Sequence, residues 1–224
     1  MERQMEKRCR VGRGWFGLWS MALFFIVPAA HADILYNNLT EAGLGQGTIT
    51  NTYYKAQKFT TDQGNYTLSS VTVRLRANTQ GGLFVKIYND NNNLPNQAIG
   101  ALNIPAIGST YANYQLTPSS PLTLAPNSTY WVVVGVTTGT GYYDWNYTAS
   151  NNGSGVGFST RWGSTTNAGA TWTGFDDEPF MMEVSASRKE SVPIPTLTEW
   201  GMILLCILFA GSAYLMIRRR DAAS

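Results

Sequence analysis

The sequence predicts an all-β protein: a jelly-roll-like β-sandwich ectodomain with an N-terminal signal-peptide helix before it and a single C-terminal transmembrane helix after it. Three observations predict this. Between residues 33 and 187, short apolar segments alternate with clusters of Gly, Asn, Ser, Thr and Pro, and nothing repeats at the helical period. Val71, Val73 and Leu75 alternate with Thr72, Arg74 and Arg76, the period-two pattern of a half-buried strand with its arginines outward. The two long apolar runs, 15–27 and 202–217, lie at the ends of the chain.

Residues 1–14 carry Arg3, Lys7, Arg8, Arg10 and Arg13, and the apolar run behind them ends in Pro28-Ala29-Ala30-His31-Ala32. A basic start, a short apolar core and an Ala-x-Ala site make residues 1–32 a secretory signal peptide. Ala30 and Ala32 are the small residues of the cleavage site, and the mature chain is expected to start at Asp33. The implied partners are the secretion machinery and signal peptidase.

Residues 33–187 form one domain's worth of chain, enough for a sizeable core. Strands are expected around Val71–Leu75 and at 34–39, 56–61, 83–88, 114–117, 129–136, 142–147, 171–174 and 180–186. Tyr130-Trp131-Val132-Val133-Val134-Gly135-Val136 is the most continuously apolar of these, and a run of that kind belongs to a central strand buried on both faces. Seven or more short strands with polar turns imply the sandwich.

The net charge of +2 belongs to the targeting ends. Between 33 and 192 there are eight basic and ten acidic residues, so no basic stripe points to nucleic acid. Cys9 falls in the signal peptide, Cys206 in the C-terminal apolar run, and the single histidine, His31, leaves with the signal. The mature ectodomain therefore lacks the side chains for thiol nucleophiles, Ser–His–Asp triads, Cys/His zinc sites and disulfides. No cofactor is expected.

Two ligand chemistries fit the remaining residues. Trp145, Trp162 and Trp172, with Tyr142 and Tyr143, could form an aromatic rim that stacks on polysaccharide rings. Asp176, Asp177 and Glu178, or the stretch Asp90-Asn91-Asn92-Asn93, offer oxygen ligands for calcium, although such residues also favour plain turns. A glycoside hydrolase needs two carboxyls facing each other across a gap of ~5–9.5 Å, and adjacent Asp176 and Asp177 on an extended loop point apart. An envelope hydrolase is thus the third choice, after a structural surface protein and an adhesin-like binding module.

After a linker at 188–193, the tail reads Ile194-Pro195-Thr196-Leu197, two variable positions, then Trp200-Gly201. Pro193 and Pro195 hold the approach extended. Residues 200–217 are 18 positions without a charge, ~27 Å as a helix and close to the hydrocarbon thickness of a bilayer. Arg218, Arg219 and Arg220 act as the membrane stop and place the preceding chain on the outer side of the inner membrane. The transmembrane helix is expected over 201–217.

The tail, 194–220, resembles the IPTL-CTERM sorting signal of Gram-negative bacteria, with every fixed position matched. The resemblance implies that an exosortase-type transpeptidase reads Ile194, Pro195, Thr196, Leu197, Trp200 and Gly201, and that the protein is a non-enzymatic substrate processed for the outer envelope or cell surface. The ectodomain also resembles the exported domain called choice-of-anchor R, through Leu35-Tyr36-Asn37-Asn38, Ala56-Gln57-Lys58-Phe59-Thr60-Thr61, Tyr66-Thr67-Leu68-Ser69-Ser70-Val71 and Trp145-Asn146-Tyr147-Thr148. That likeness implies a β-rich domain paired with an interchangeable tail, and it brings no catalytic residues.

Overall fold

The computed structural model describes residues 32–137, 139–189 and 197–221, the last stretch with side chains from Trp200 onward. Residues 1–31 of the expected signal peptide, Ala30 included, lie outside the described residues. The strands in chain order are β1 (Ala32–Asn37), β2 (Gly43–Ile49), β3 (Tyr54–Thr60), β4 (Tyr66–Thr79), β5 (Leu83–Asn91), β6 (Leu94–Asn103) and β7 (Ala112–Pro118). They continue as β8 (Thr123–Leu124), β9 (Thr129–Val136), β10 (Tyr142–Thr148), β11 (Trp162–Thr165), β12 (Thr173–Phe175) and β13 (Met182–Arg188), followed by the helix α1 (Leu197–Asp221). The fold is the expected sandwich, made from a sheet that curls on itself.

One layer contains β1, β13, β4, β7 and β8, with β10 and β2 continuing it beside the far end of β4. The other runs β6, β5, β9, β3, β11, β12. Every strand pair is antiparallel, and the layers join where Leu102 and Asn103 of β6 meet Pro118 and Thr117 of β7. On the other side, the Gly157 amide donates to the Leu35 carbonyl of β1 at 2.8 Å, and its own carbonyl accepts from Thr60 of β3 at 3.0 Å. One glycine thus links β1, at the edge of one layer, to the end of β3 in the other.

β4 is the long strand because two alternating stretches follow one another, Tyr66 and Leu68 inward in the first and Val71, Val73, Leu75 and Ala77 in the second, with a register shift against β13 at Ser70 between them. Arg74 and Arg76 face outward, as the pattern predicts. β9 matches its predicted bounds and is buried on both faces. Tyr130, Val132, Val134 and Val136 enter the main core, while Trp131 and Val133 pack with Tyr54 and Ala56 into a smaller cluster on the outer face. Full burial of each such side chain contributes roughly 1.5–3 kcal/mol.

β2, β6, β8 and β11 are absent from the expected strands. β2 reads as a loop because Gly43, Gly45 and Gly47 have low strand propensity. These glycines admit neighbours: a Cβ at Gly45 would collide with the Tyr147 ring, and one at Gly47 with the Phe180 ring. β6 opens with Leu94-Pro95 and is mostly exposed, so its apolar signal is faint. A two-residue turn at Asn92 and Asn93, with φ of 52° and 63°, joins it to β5.

The two ends of the domain are tied together. Ala32 pairs with Ser187, and Arg188 reaches Asp33 at 3.4 Å, Asp62, and the Tyr66 hydroxyl at 2.8 Å. Asp62 also accepts from the Gly64 amide at 2.7 Å and from the Tyr66 hydroxyl at 2.9 Å. The Gly64 amide foremost, with Tyr66 and Arg188, holds the Asp62 carboxyl below its ordinary value, against the opposing effect of partial burial. A carboxylate with a depressed folded pKa adds stability above its unfolded pKa, and that stability is lost as pH falls through the folded value. Asp62→Asn is therefore expected to lower the melting temperature at pH 7 and to flatten its fall between pH 5 and pH 2. A variant whose acid slope equals that of wild type would exclude this clamp.

Candidate functional site

The tail is the first candidate. α1 starts at Leu197, two residues past Pro195, and ends at Asp221, one turn longer at each end than the expected 201–217. Ring constraints at Pro195 disfavour helix just before it, whereas nothing in Leu197-Thr198-Glu199 breaks one. Arg218, Arg219 and Arg220 are good helix formers and sit in the last turn, where cations complement the helix dipole.

From Trp200 to Asp221 the helix covers 22 residues, ~33 Å. Its length and composition suffice to cross a membrane, and none of it is buried against the protein. Trp200 is exposed at its start, where an interfacial aromatic belongs. Ser212, its most polar interior residue, donates back to the Phe209 carbonyl at 2.9 Å, which satisfies the hydroxyl within the helix. Ile194, Pro195, Thr196 and the Leu197 side chain lie outside the described residues. Ala32, the last residue before the expected cleavage point, is the first residue of β1.

The three candidate ligand-binding tryptophans do not form a rim, and that expectation is corrected. Trp145 has 0% exposure: its ring stacks on Phe180 at 4.8 Å, and its Nε1 donates to the Met181 carbonyl at 2.9 Å. Trp162 is half-buried and faces the core side, with one face taken by Phe175 at 4.2 Å. Trp172 packs on the outer cluster with Tyr54, Ala56 and Trp131, on the opposite face of the same layer. Trp162 belongs to β11 and packs on the main core, whereas Trp172 precedes β12 and packs on the outer cluster.

The candidate calcium ligands are corrected as well. Asp176 accepts from Arg161 Nη1 at 2.7 Å, the Asp177 carbonyl accepts from Trp162 Nε1 at 2.6 Å, and Glu178 sits at φ 46°. No three His, Cys, Asp or Glu side chains converge to hold a metal among the described residues. Asp90 behaves as a turn residue: one carboxylate oxygen accepts from Trp131 Nε1 at 2.8 Å and the other from the Asn93 amide at 3.1 Å.

Sequence reasoning missed a polar cluster on the outer face of the β4 layer. Asp144 of β10 pairs with Arg76 of β4 and is fully buried. Its Oδ2 accepts from Arg76 Nε at 2.9 Å and from Asn78 at 2.8 Å. The Arg76 guanidinium lies over the Tyr111 ring at 4.7 Å and also donates to Gln46 at 3.1 Å. The Tyr111 hydroxyl donates to the same Gln46 oxygen at 3.2 Å. Partial burial raises the Tyr111 pKa foremost, Asp144 and Tyr142 raise it further, and Arg76 and Arg74 oppose them, so these groups share one field. An aspartate between Tyr143 and Trp145 was the available signal: a charge inside an aromatic strand needs a partner.

The chain matches the IPTL-CTERM motif over residues 192–220, which covers the linker's end, the motif residues and the helix through Arg220. No curated protein matches the chain. The chain carries a sorting-signal motif on an exposed apolar helix, the arrangement of a membrane-anchored exported protein.

Proposed function

We propose that the protein is a non-enzymatic exported surface domain whose tail is a substrate for an exosortase-type transpeptidase. The carrying observation is that the IPTL-CTERM match coincides with a free-standing apolar helix closed by three arginines. The secretory signal at 1–32 delivers the ectodomain to the periplasmic side, and α1 holds it in the inner membrane. The sorting enzyme then reads Ile194-Pro195-Thr196-Leu197 and Trp200-Gly201, and the ectodomain moves to the outer envelope or cell surface. The ectodomain's resemblance to choice-of-anchor R supports a β-rich cargo joined to a replaceable address. The chemistry is done to this protein by its partner.

Intact mass and membrane fractionation from the native host test the reading, with wild type beside a Pro195→Ala, Trp200→Ala double variant. Wild type is expected to lack α1 and leave the inner membrane, and the variant to keep both. Retention of residues through Ser224 in the inner membrane by both proteins would reduce α1 to a permanent anchor.

A further inference from the structure

We infer that the outer face of the β4 layer carries a binding site for an acidic polysaccharide, with Arg74 as the reader of a sugar carboxylate. Arg74 differs from its neighbour Arg76. The Arg76 fork is committed to Asp144 and Gln46, whereas the Arg74 side chain has no hydrogen bond or ion pair among the described residues, and its Nε is buried without a partner. A second orphan lies in the same cluster: Asp144 is fully buried, and its Oδ1 accepts no hydrogen bond. Buried polar atoms without partners are rare in folded proteins and call for an explanation.

The two orphans ask for opposite things, a donor for Asp144 Oδ1 and an acceptor for Arg74. Sulfate or chloride would serve Arg74 but gives Asp144 no donor, and hydrogen phosphate has a donor but no apolar face for the tyrosine rings. A neutral sugar offers hydroxyls but leaves the guanidinium charge unpaired. A uronic acid unit supplies both, with a planar carboxylate that matches the guanidinium fork and hydroxyls that donate. Tyr142, exposed at the start of β10, and Tyr111 supply the apolar ring faces on which a pyranose rests. The Arg76 guanidinium takes one face of the Tyr111 ring, so a pyranose would rest on the other. The ectodomain is slightly acidic overall, so attraction to a polyanion would be local to this face and not a property of net charge.

The test is isothermal calorimetry on the full chain purified into lipid nanodiscs, with hexagalacturonate as the probe, cellohexaose as its neutral counterpart and hexaglutamate as an acidic peptide. The readout is independent of tail processing, so it stands or falls apart from the sorting reading. Hexagalacturonate is expected to bind at least tenfold more tightly than either control. Arg74→Gln is expected to weaken it at least tenfold, Arg74→Lys by less, and Tyr142→Ala about threefold, all with wild-type melting temperatures. Equal binding of the neutral hexamer, wild-type affinity in Arg74→Gln, or no binding at millimolar uronate would each overturn the site. Hexaglutamate matching the uronate would overturn the sugar in favour of an acidic protein partner. Should Arg74→Gln fail to fold, Arg74→Lys and Tyr142→Ala decide, and unchanged affinity in both overturns the site.

Discussion

Replacing Trp145 by alanine is expected to destabilise the domain by about 3–5 kcal/mol, the range for truncating a fully buried large aromatic. The side chain is enclosed on every side. It stacks on Phe180, and its strand pairs with β4 at Leu75 and with β2 at Gly47. Gly47 is small because the Phe180 ring occupies the space a Cβ would need, so β2, β10 and Phe180 form one packed unit. Removing the indole would empty the centre of that unit and leave the Met181 carbonyl with the Arg74 amide as its one remaining donor, at 3.2 Å. Trp145→Phe keeps a ring and loses only that hydrogen bond, so about 1–2 kcal/mol is expected. Urea unfolding of the purified protein separates the two. Whole domains are stable by roughly 5–15 kcal/mol, and a loss of this size should visibly lower the midpoint. A Trp145→Ala protein within 1 kcal/mol of wild type would refute the core assignment and restore the residue as a surface platform.

That residue also shows where the sequence was readable and where it was not. β4 and β9 could be recognised because alternation and continuous apolarity are local signals, visible in a window of seven residues. β2 could not, because its glycines make room for Tyr147 and Phe180, which are distant in sequence. The tail was legible for the same local reason: motif, helix and arginines follow one another in sequence, and from Trp200 onward the helix is not buried against the domain. The tryptophans misled because composition shows that a ring is large and amphipathic, while its burial depends on which sheet face the register assigns. The Arg74 to Asp144 cluster lay between these cases. The outward arginines followed from period two, but their buried aspartate arrives from β10, 68 residues later than Arg76.

Gly157→Ala is the second substitution expected to act strongly, by about 3 kcal/mol, at the upper end of typical overpacking costs. For a domain of this size that corresponds to a fall in melting temperature of roughly 6–12 °C. A Cβ at Gly157 would overlap the Thr60 carbonyl oxygen and lie 2.7 Å from its carbon and 2.8 Å from its nitrogen. These are backbone atoms of a paired strand, so no side-chain rotation relieves the clash. Gly139 provides the opposite control. Its φ is +88° and nothing lies within 4 Å of its Cβ position, so alanine there meets only conformational strain, about 1 kcal/mol. Differential scanning calorimetry of both variants separates close approach from backbone conformation; equal shifts would remove Gly157 from its closing role. The consequence for the exported protein follows from position. Gly157 holds β1, and Ser154 bonds Asn37 of the same strand in both directions at 2.8 Å. Without the Gly157 bond, β1 is retained by β13 and by the Ser154–Asn37 pair at its far end, and its loosening would bare the edge of the strand that leads into the tail. An unpaired edge beside a membrane anchor invites pairing with a second chain. Gly157→Ala protein is therefore expected to self-associate before it unfolds, which light scattering recorded during the same melt would detect.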